Sequence, residues 1–243
     1  MFLCVSALAY AQKTYLVCVG VGKNNTGRNQ LYGVANDVKA FAKFYNRYNG
    51  THPFVLLDNN ATRSNILKVL KREFSKSTSA DEIIFAYSGH GYDGYITSYN
   101  FRDDEVVLFS EIQDIMLKAK ARRRMMFIDA CRSGSATETL RSNKYNKNSK
   151  VLLFLSSRNS ESSLAGSAGE ELSLFFHFLI KGLMGDADKS GDKKVTAREL
   201  FNYVGYNVRY TSRYYRDSNN EGIEQHPVMW GKFPDDMVMV YVK

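Results

Sequence analysis

The chain has 243 residues, 44% of them apolar, with 33 lysines and arginines against 25 aspartates and glutamates and a formal net charge of +8. That length and apolar content suit one globular domain with one sizeable core, and three prolines with no long biased tract exclude disorder over most of the chain. The positive charge is dispersed and reads as solvated surface; even the basic, tyrosine-rich stretch 209–216 reads as an exposed helix end, so no nucleic-acid partner is expected.

Residues 2–9 form a short apolar run, and Ala9-Tyr10-Ala11 before Gln12 has the small-x-small form of a secretory cleavage site, without the basic region that opens such signals. Residues 1–11 read either as the remnant of a longer signal peptide or as a buried first strand. The first reading makes the protein exported, periplasmic or secreted; the second leaves it cytoplasmic. The run is too short to cross a bilayer as a helix, and no membrane span is expected. Residues 12–243 then form a single domain.

Apolar runs of strand length alternate with segments of helical period, the pattern of a parallel sheet covered on both faces. Strands are predicted over 15–21, 54–57, 83–87, 125–128 and 151–155, with a closing strand near 237–242. A helix over 36–48 follows the first strand, and Thr62 caps a second that turns Ile66, Leu67, Leu70 and Phe74 inward. Ser110-Glu111-Ile112-Gln113 has the form of a capping box opening a helix to about 120. Two more helices are predicted near 171–183 and 196–210. Residues 133–150 are rich in Ser, Asn, Thr and Lys and read as an exposed loop.

The three cysteines fit neither a disulfide framework nor a zinc site. Cys4 would leave with a signal peptide, and Cys18 lies in an apolar strand as a small core residue. Cys131 is different. Tyr87-Ser88-Gly89-His90-Gly91 ends the third strand, and Ile128-Asp129-Ala130-Cys131-Arg132-Ser133-Gly134 ends the fourth. In a parallel sheet both ends share one edge, where open α/β sheets bind ligands. A thiol becomes a strong nucleophile when a nearby imidazole takes its proton, so Cys131 is the candidate nucleophile and His90 its acid/base partner. Backbone N–H groups of Gly91 and Cys131 are the candidate oxyanion donors. No side chain stands out to orient the imidazole. His52, His177 and His226 have no such context.

Ser88-Gly-His-Gly91 and Asp129-Ala-Cys-Arg-Ser-Gly134 resemble the His and Cys signatures of the caspase and metacaspase cysteine peptidases, family C14, over a stretch from Tyr15 to about Tyr203. The resemblance implies a caspase-like three-layer α/β sandwich, a mostly parallel central sheet with helices on both faces. Caspases that cut after aspartate carry Gln two residues before the Cys, whereas this chain has Asp129, as metacaspases do. The segment Leu31-Tyr-Gly-Val-Ala-Asn-Asp37 is also similar to metacaspases, with Val34 in place of the usual Cys. On that resemblance Asp37, Ser88 and Asp129 line the S1 pocket. Two carboxylates facing one pocket repel each other, and a substrate guanidinium or ammonium relieves the repulsion.

The expected activity is therefore an endopeptidase cutting after Arg or Lys, acting as a monomer on peptide or protein substrates with no required cofactor. The resemblance also implies cutting after the catalytic Cys during maturation, for which Arg141, Lys144, Lys147 and Lys150 are the candidate positions. The competing expectation is a catalytically silent relative that uses the same crevice to bind peptides.

Residues 188–199 are similar to a calcium-binding EF-hand loop, with Asp188, Ser190, Asp192, Thr196 and Glu199 at ligand positions. Lys193 stands where such loops carry Gly, and Thr196-Ala-Arg-Glu199 is equally a capping box for the next helix. Metacaspases often use a separate acidic cluster after the His motif, where this chain offers Asp93, Asp103 and Asp104.

Overall fold

A computed structural model describes residues 12–100, 105–137, 151–164, 172–216 and 220–242. The candidate signal remnant 1–11, the acidic residues Asp103 and Asp104, and the candidate cleavage positions Arg141, Lys144, Lys147 and Lys150 lie outside the described residues.

Both faces of the main strands are apolar, as a sheet covered on two sides requires. Strands β1 (Thr14–Val21), β2 (Phe54–Leu57), β3 (Glu82–Gly89), β7 (Arg123–Asp129) and β8 (Val151–Leu155) run parallel, and β10 (Val228–Trp230) adds an antiparallel edge, giving the order β10-β8-β7-β3-β1-β2. Alternate residues serve the two layers. Val17, Val19, Phe85, Tyr87, Met126, Ile128 and Leu153 face helices α2 (Arg63–Phe74) and α3 (Phe109–Lys118). Leu16, Cys18, Ile84, Ala86, Phe127 and Phe154 face α1 (Val34–Asn49), α4 (Leu174–Lys181) and α5 (Ala197–Ser212). The chain is thus a three-layer α/β sandwich.

Three of the helices start on a side-chain cap. Thr62 Oγ1 accepts from Asn65 N–H, Ser173 Oγ from Phe176 N–H, and Thr196 with Glu199 forms the expected capping box. At α3 the start differs from the Ser110 expectation: the helix begins at Phe109, and Glu111 accepts from the Leu108 N–H while pairing with Arg63 at 2.5 Å. The tie to Arg63 draws Glu111 toward α2, so its carboxylate caps Leu108, two residues before Ser110.

Past β3 the chain builds a small antiparallel sheet from β4 (Gly91–Tyr92), β5 (Tyr95–Ile96) and β6 (Val107–Leu108). The expected closing strand is β11 (Val238–Tyr241), but it pairs with β9 (Lys194–Thr196) in a separate two-stranded sheet. The sixth strand of the central sheet is β10, three residues long, too short for an alternating pattern to reveal. Among the described residues, no helix is long and apolar enough to cross a membrane.

Candidate active site

Strands β3 and β7 are in register with Ser88 opposite Asp129, so His90 and Cys131 each stand two residues past an aligned pair at the carboxyl edge of the sheet. The two chain segments touch at Gly91. A Cβ there would lie 2.7 Å from the Ala130 Cβ and 2.9 Å from the Cys131 carbonyl oxygen, so only glycine permits this approach. The backbones that carry the two candidate oxyanion donors are therefore neighbours.

His90 is half-buried and held from both ends. Its carbonyl accepts from Thr97 N–H at 3.1 Å and lies 2.9 Å from the buried Tyr87 hydroxyl. Its ring Nε2 lies 2.5 Å from the carbonyl of Asn29. A carbonyl only accepts, so Nε2 carries the hydrogen, which leaves Nδ1 as the nitrogen free to exchange protons. Asn29 does what no side chain was expected to do. It sits at φ 50° in the loop after β1, a conformation that Asn tolerates better than most residues.

Cys131 is half-buried, whereas Cys18 lies within the core and burial pushes its thiol far up, out of the reactive range. The Cys131 turn rests on a buried set of serine hydroxyls. Ala130 N–H donates to Ser156 Oγ and Ser157 Oγ donates to the Ala130 carbonyl, both at 3.1 Å; Ser133 Oγ in turn accepts from Ser157 N–H. Arg132 adopts φ 54° and donates its N–H to the Glu161 carbonyl. The sulfur itself receives the Ser163 N–H at 3.4 Å.

Asp37, Ser88 and Asp129 come together below this edge. Asp37 is 1% exposed and Asp129 4%. Asp37 accepts from the Ser88 hydroxyl at 2.7 Å and from Ser173 N–H at 2.8 Å. Asp129 Oδ1 accepts from the Ser163 hydroxyl, while Oδ2 is buried with no hydrogen-bond partner among the described residues. Burial first, and then the Asp129 carboxylate, push the Asp37 carboxyl up to about 8 against the bonds from Ser88 and Ser173. Burial likewise raises Asp129, opposed by the serine hydroxyls around it. Two desolvated carboxyls sharing one site repel each other when ionised, a repulsion that a cation between them would relieve.

His177 meets Phe178 edge-on in α4, and His226 Nδ1 lies 2.8 Å from Glu161. Among the described residues, no group of three or more His, Cys, Asp or Glu could hold a metal ion. In the 188–199 loop, Asp188 accepts from the N–H groups of Gly191 and Lys193, Asp192 from that of Lys194, and Glu199 from those of Ser190 and Thr196. Lys193 takes φ 62° in place of glycine. These carboxylates satisfy their own turn and the start of α5.

The sequence profile of the caspase domain, peptidase family C14, matches residues 15–238. Metacaspase-1 of Debaryomyces hansenii is 29% identical over 143 residues, which cover 49% of this chain and 32% of that protein. Metacaspase-1A of Aspergillus terreus is 31% identical over 144 residues, covering 49% of this chain and 36% of its own. The chain thus matches about a third of the length of these relatives. In fold it is similar to the crystal structure of protein GSU0716 from Geobacter sulfurreducens, with a TM-score of 0.67 at 16% identity, covering 95% of this chain and 100% of that one.

Proposed function

This chain belongs to the caspase-domain family of peptidases, and from that premise we propose that it is a cysteine endopeptidase that cleaves peptide bonds after arginine or lysine. The observation that carries the reading is the buried pair Asp37 and Asp129 beside Cys131, with one carboxylate oxygen of Asp129 left without a partner among the described residues. A P1 guanidinium entering there restores both carboxyls to their charged state and supplies paired donors to each, which an aspartate side chain would oppose.

The reaction follows from the groups at the edge. His90 Nδ1 takes the Cys131 proton, and the sulfur attacks the scissile carbonyl carbon as the carbonyl electron pair moves to oxygen. The N–H groups of Gly91 and Cys131 hold that oxyanion. When the pair returns, the C–N bond breaks and His90 passes its proton to the departing amine. A water then gives its proton to His90 and attacks the thioester, and the C–S bond breaks to restore the thiol. Asn29 keeps the imidazole in the tautomer these transfers need.

The same specificity suits self-cleavage at Arg141, Lys144, Lys147 or Lys150, on the segment that follows the nucleophile. The small-x-small pattern at 9–11 supports export, and the protein is proposed to act as a monomer on peptide or protein substrates. Calcium at 188–199 would need Asp188, Asp192 and Glu199 to release the N–H groups they accept, so no step is assigned to it.

The deciding experiment incubates the protein with fluorogenic peptides differing only at P1, alongside Cys131→Ala, and follows the protein by mass spectrometry. Cleavage after Arg and Lys that the variant lacks is the expected result. Faster cleavage after Asp overturns the pocket assignment, and nicking of pure Cys131→Ala overturns self-cleavage.

A further inference from the structure

Gln225 lies far from the two motifs in sequence, yet its side chain is 0% exposed and reaches the nucleophile's surroundings. Its Nε2 donates to the Ser156 carbonyl at 2.9 Å and to the Ser163 hydroxyl oxygen at 3.0 Å, and its Oε1 accepts from Leu164 N–H at 3.0 Å. Its backbone N–H is anchored on Ser212 Oγ at the end of α5. Both N–H bonds and the carbonyl are used. A flipped amide would set oxygen against the Ser156 carbonyl and NH₂ against an N–H, so one orientation alone is permitted.

That orientation dictates Ser163. Because its hydroxyl oxygen already accepts from Gln225, its own hydrogen goes to Asp129, while its N–H points to the Cys131 sulfur. One residue thus serves both the cation pocket and the thiol, and one buried amide holds it there.

We infer that Gln225 is a positioning residue that locks Ser163 as the shared wall between the nucleophile and the P1 pocket. The inference rests on the proposed S1 assignment only for its effect on substrates; its effect on the thiol is independent. A buried hydroxyl that receives a hydrogen bond polarises and donates more strongly onward, so the chain Gln225–Ser163–Asp129 acts as a unit.

The test compares Gln225→Glu, nearly identical in shape, with Gln225→Leu and Ser163→Ala. A carboxyl at 225 carries at most one hydrogen where the amide donates two, so it cannot hold both the Ser156 carbonyl and the Ser163 hydroxyl. Two readouts are used: KM and kcat on a P1-Arg peptide, and the pH profile of Cys131 alkylation by iodoacetamide without substrate. In Gln225→Glu and Gln225→Leu the alkylation midpoint should move upward, because the N–H that stabilises the thiolate is displaced, and KM should rise by about five- to tenfold. Ser163→Ala removes the hydroxyl by which Gln225 holds this residue, so it should raise KM and move the alkylation midpoint in the same direction, by no more than Gln225→Leu does. Adding Gln225→Glu to Ser163→Ala should raise KM by less than about twofold more, the mark of a shared path.

Wild-type alkylation and KM in a folded Gln225→Glu protein would overturn the inference, as would multiplying effects in the double variant. If Gln225→Leu does not fold, Gln225→Glu and Ser163→Ala carry the same comparison. If the wild type ignores P1-Arg peptides but the alkylation midpoint still shifts, the S1 reading fails and the positioning of the thiol stands.

Discussion

His90 donates its Nε2 hydrogen to the backbone carbonyl of Asn29, 61 positions earlier in the chain, at 2.5 Å. A main-chain oxygen thereby performs the orienting task that a carboxylate or amide side chain performs in many catalytic triads.

Because Asn29 contributes through its backbone at φ 50°, the side chain matters only through the conformations it permits. Asn29→Gly should keep nearly full activity. Asn29→Val, whose branched Cβ resists that φ, should lower kcat by about ten- to a hundredfold with KM within about twofold of wild type. Steady-state kinetics on the best P1-Arg peptide checks both.

Gly91→Ala places a methyl group against Ala130 and the Cys131 carbonyl at distances no side chain tolerates. The expected result is a loss of about 1–3 kcal/mol in unfolding free energy by denaturant titration. A fall in kcat beyond about tenfold should accompany it, since the oxyanion donors on both strands are pushed apart.

The acid pair makes substrate binding pH-dependent. Folding raises the Asp37 carboxyl from 3.8 to about 8, so its contribution to stability is whole below the unfolded value and is lost as pH climbs through the folded one. The melting temperature of the free protein should therefore fall as pH rises from about 4 to about 8 and level off above, and Asp37→Asn should flatten that slope. Over the same range KM for a P1-Arg peptide should decrease, because the pair loses its shared proton before the cation arrives. Asp37→Asn should cut kcat/KM for that peptide by about ten- to a hundredfold.

Glu199→Ala removes the reciprocal half of the α5 capping box and the acceptor of the Ser190 N–H. It should destabilise the protein by about 1 kcal/mol, equally in calcium and in a chelator. A calorimetric calcium heat in the wild type that vanishes in the variant would place the ion in this loop instead.

The sandwich was legible because strand and helix periods differ and because short motifs bearing His90 and Cys131 close two neighbouring strands of the sheet. Asp37 and Asp129 became legible only through family resemblance, since one carboxylate at a helix start and another at a strand end look structural by themselves. What escaped was of two kinds. Asn29 acts through a group that every residue carries, so its type announces nothing. Ser163 and Gln225 meet across 62 positions, a pairing set by the tertiary fold. The same holds for β10, whose three residues become a strand only because β8 offers them an edge.

Beneath the sulfur, Ser133, Ser156 and Ser157 grip the Ala130–Cys131 turn through hydroxyl and backbone groups, none of them ionised. Dissolved salt has no charge to screen in that mounting, whereas it weakens the long-range attraction of a cationic substrate toward the two acids. Raising ionic strength should consequently be felt in how tightly substrates are gathered, while the intrinsic reactivity of the thiol stays level.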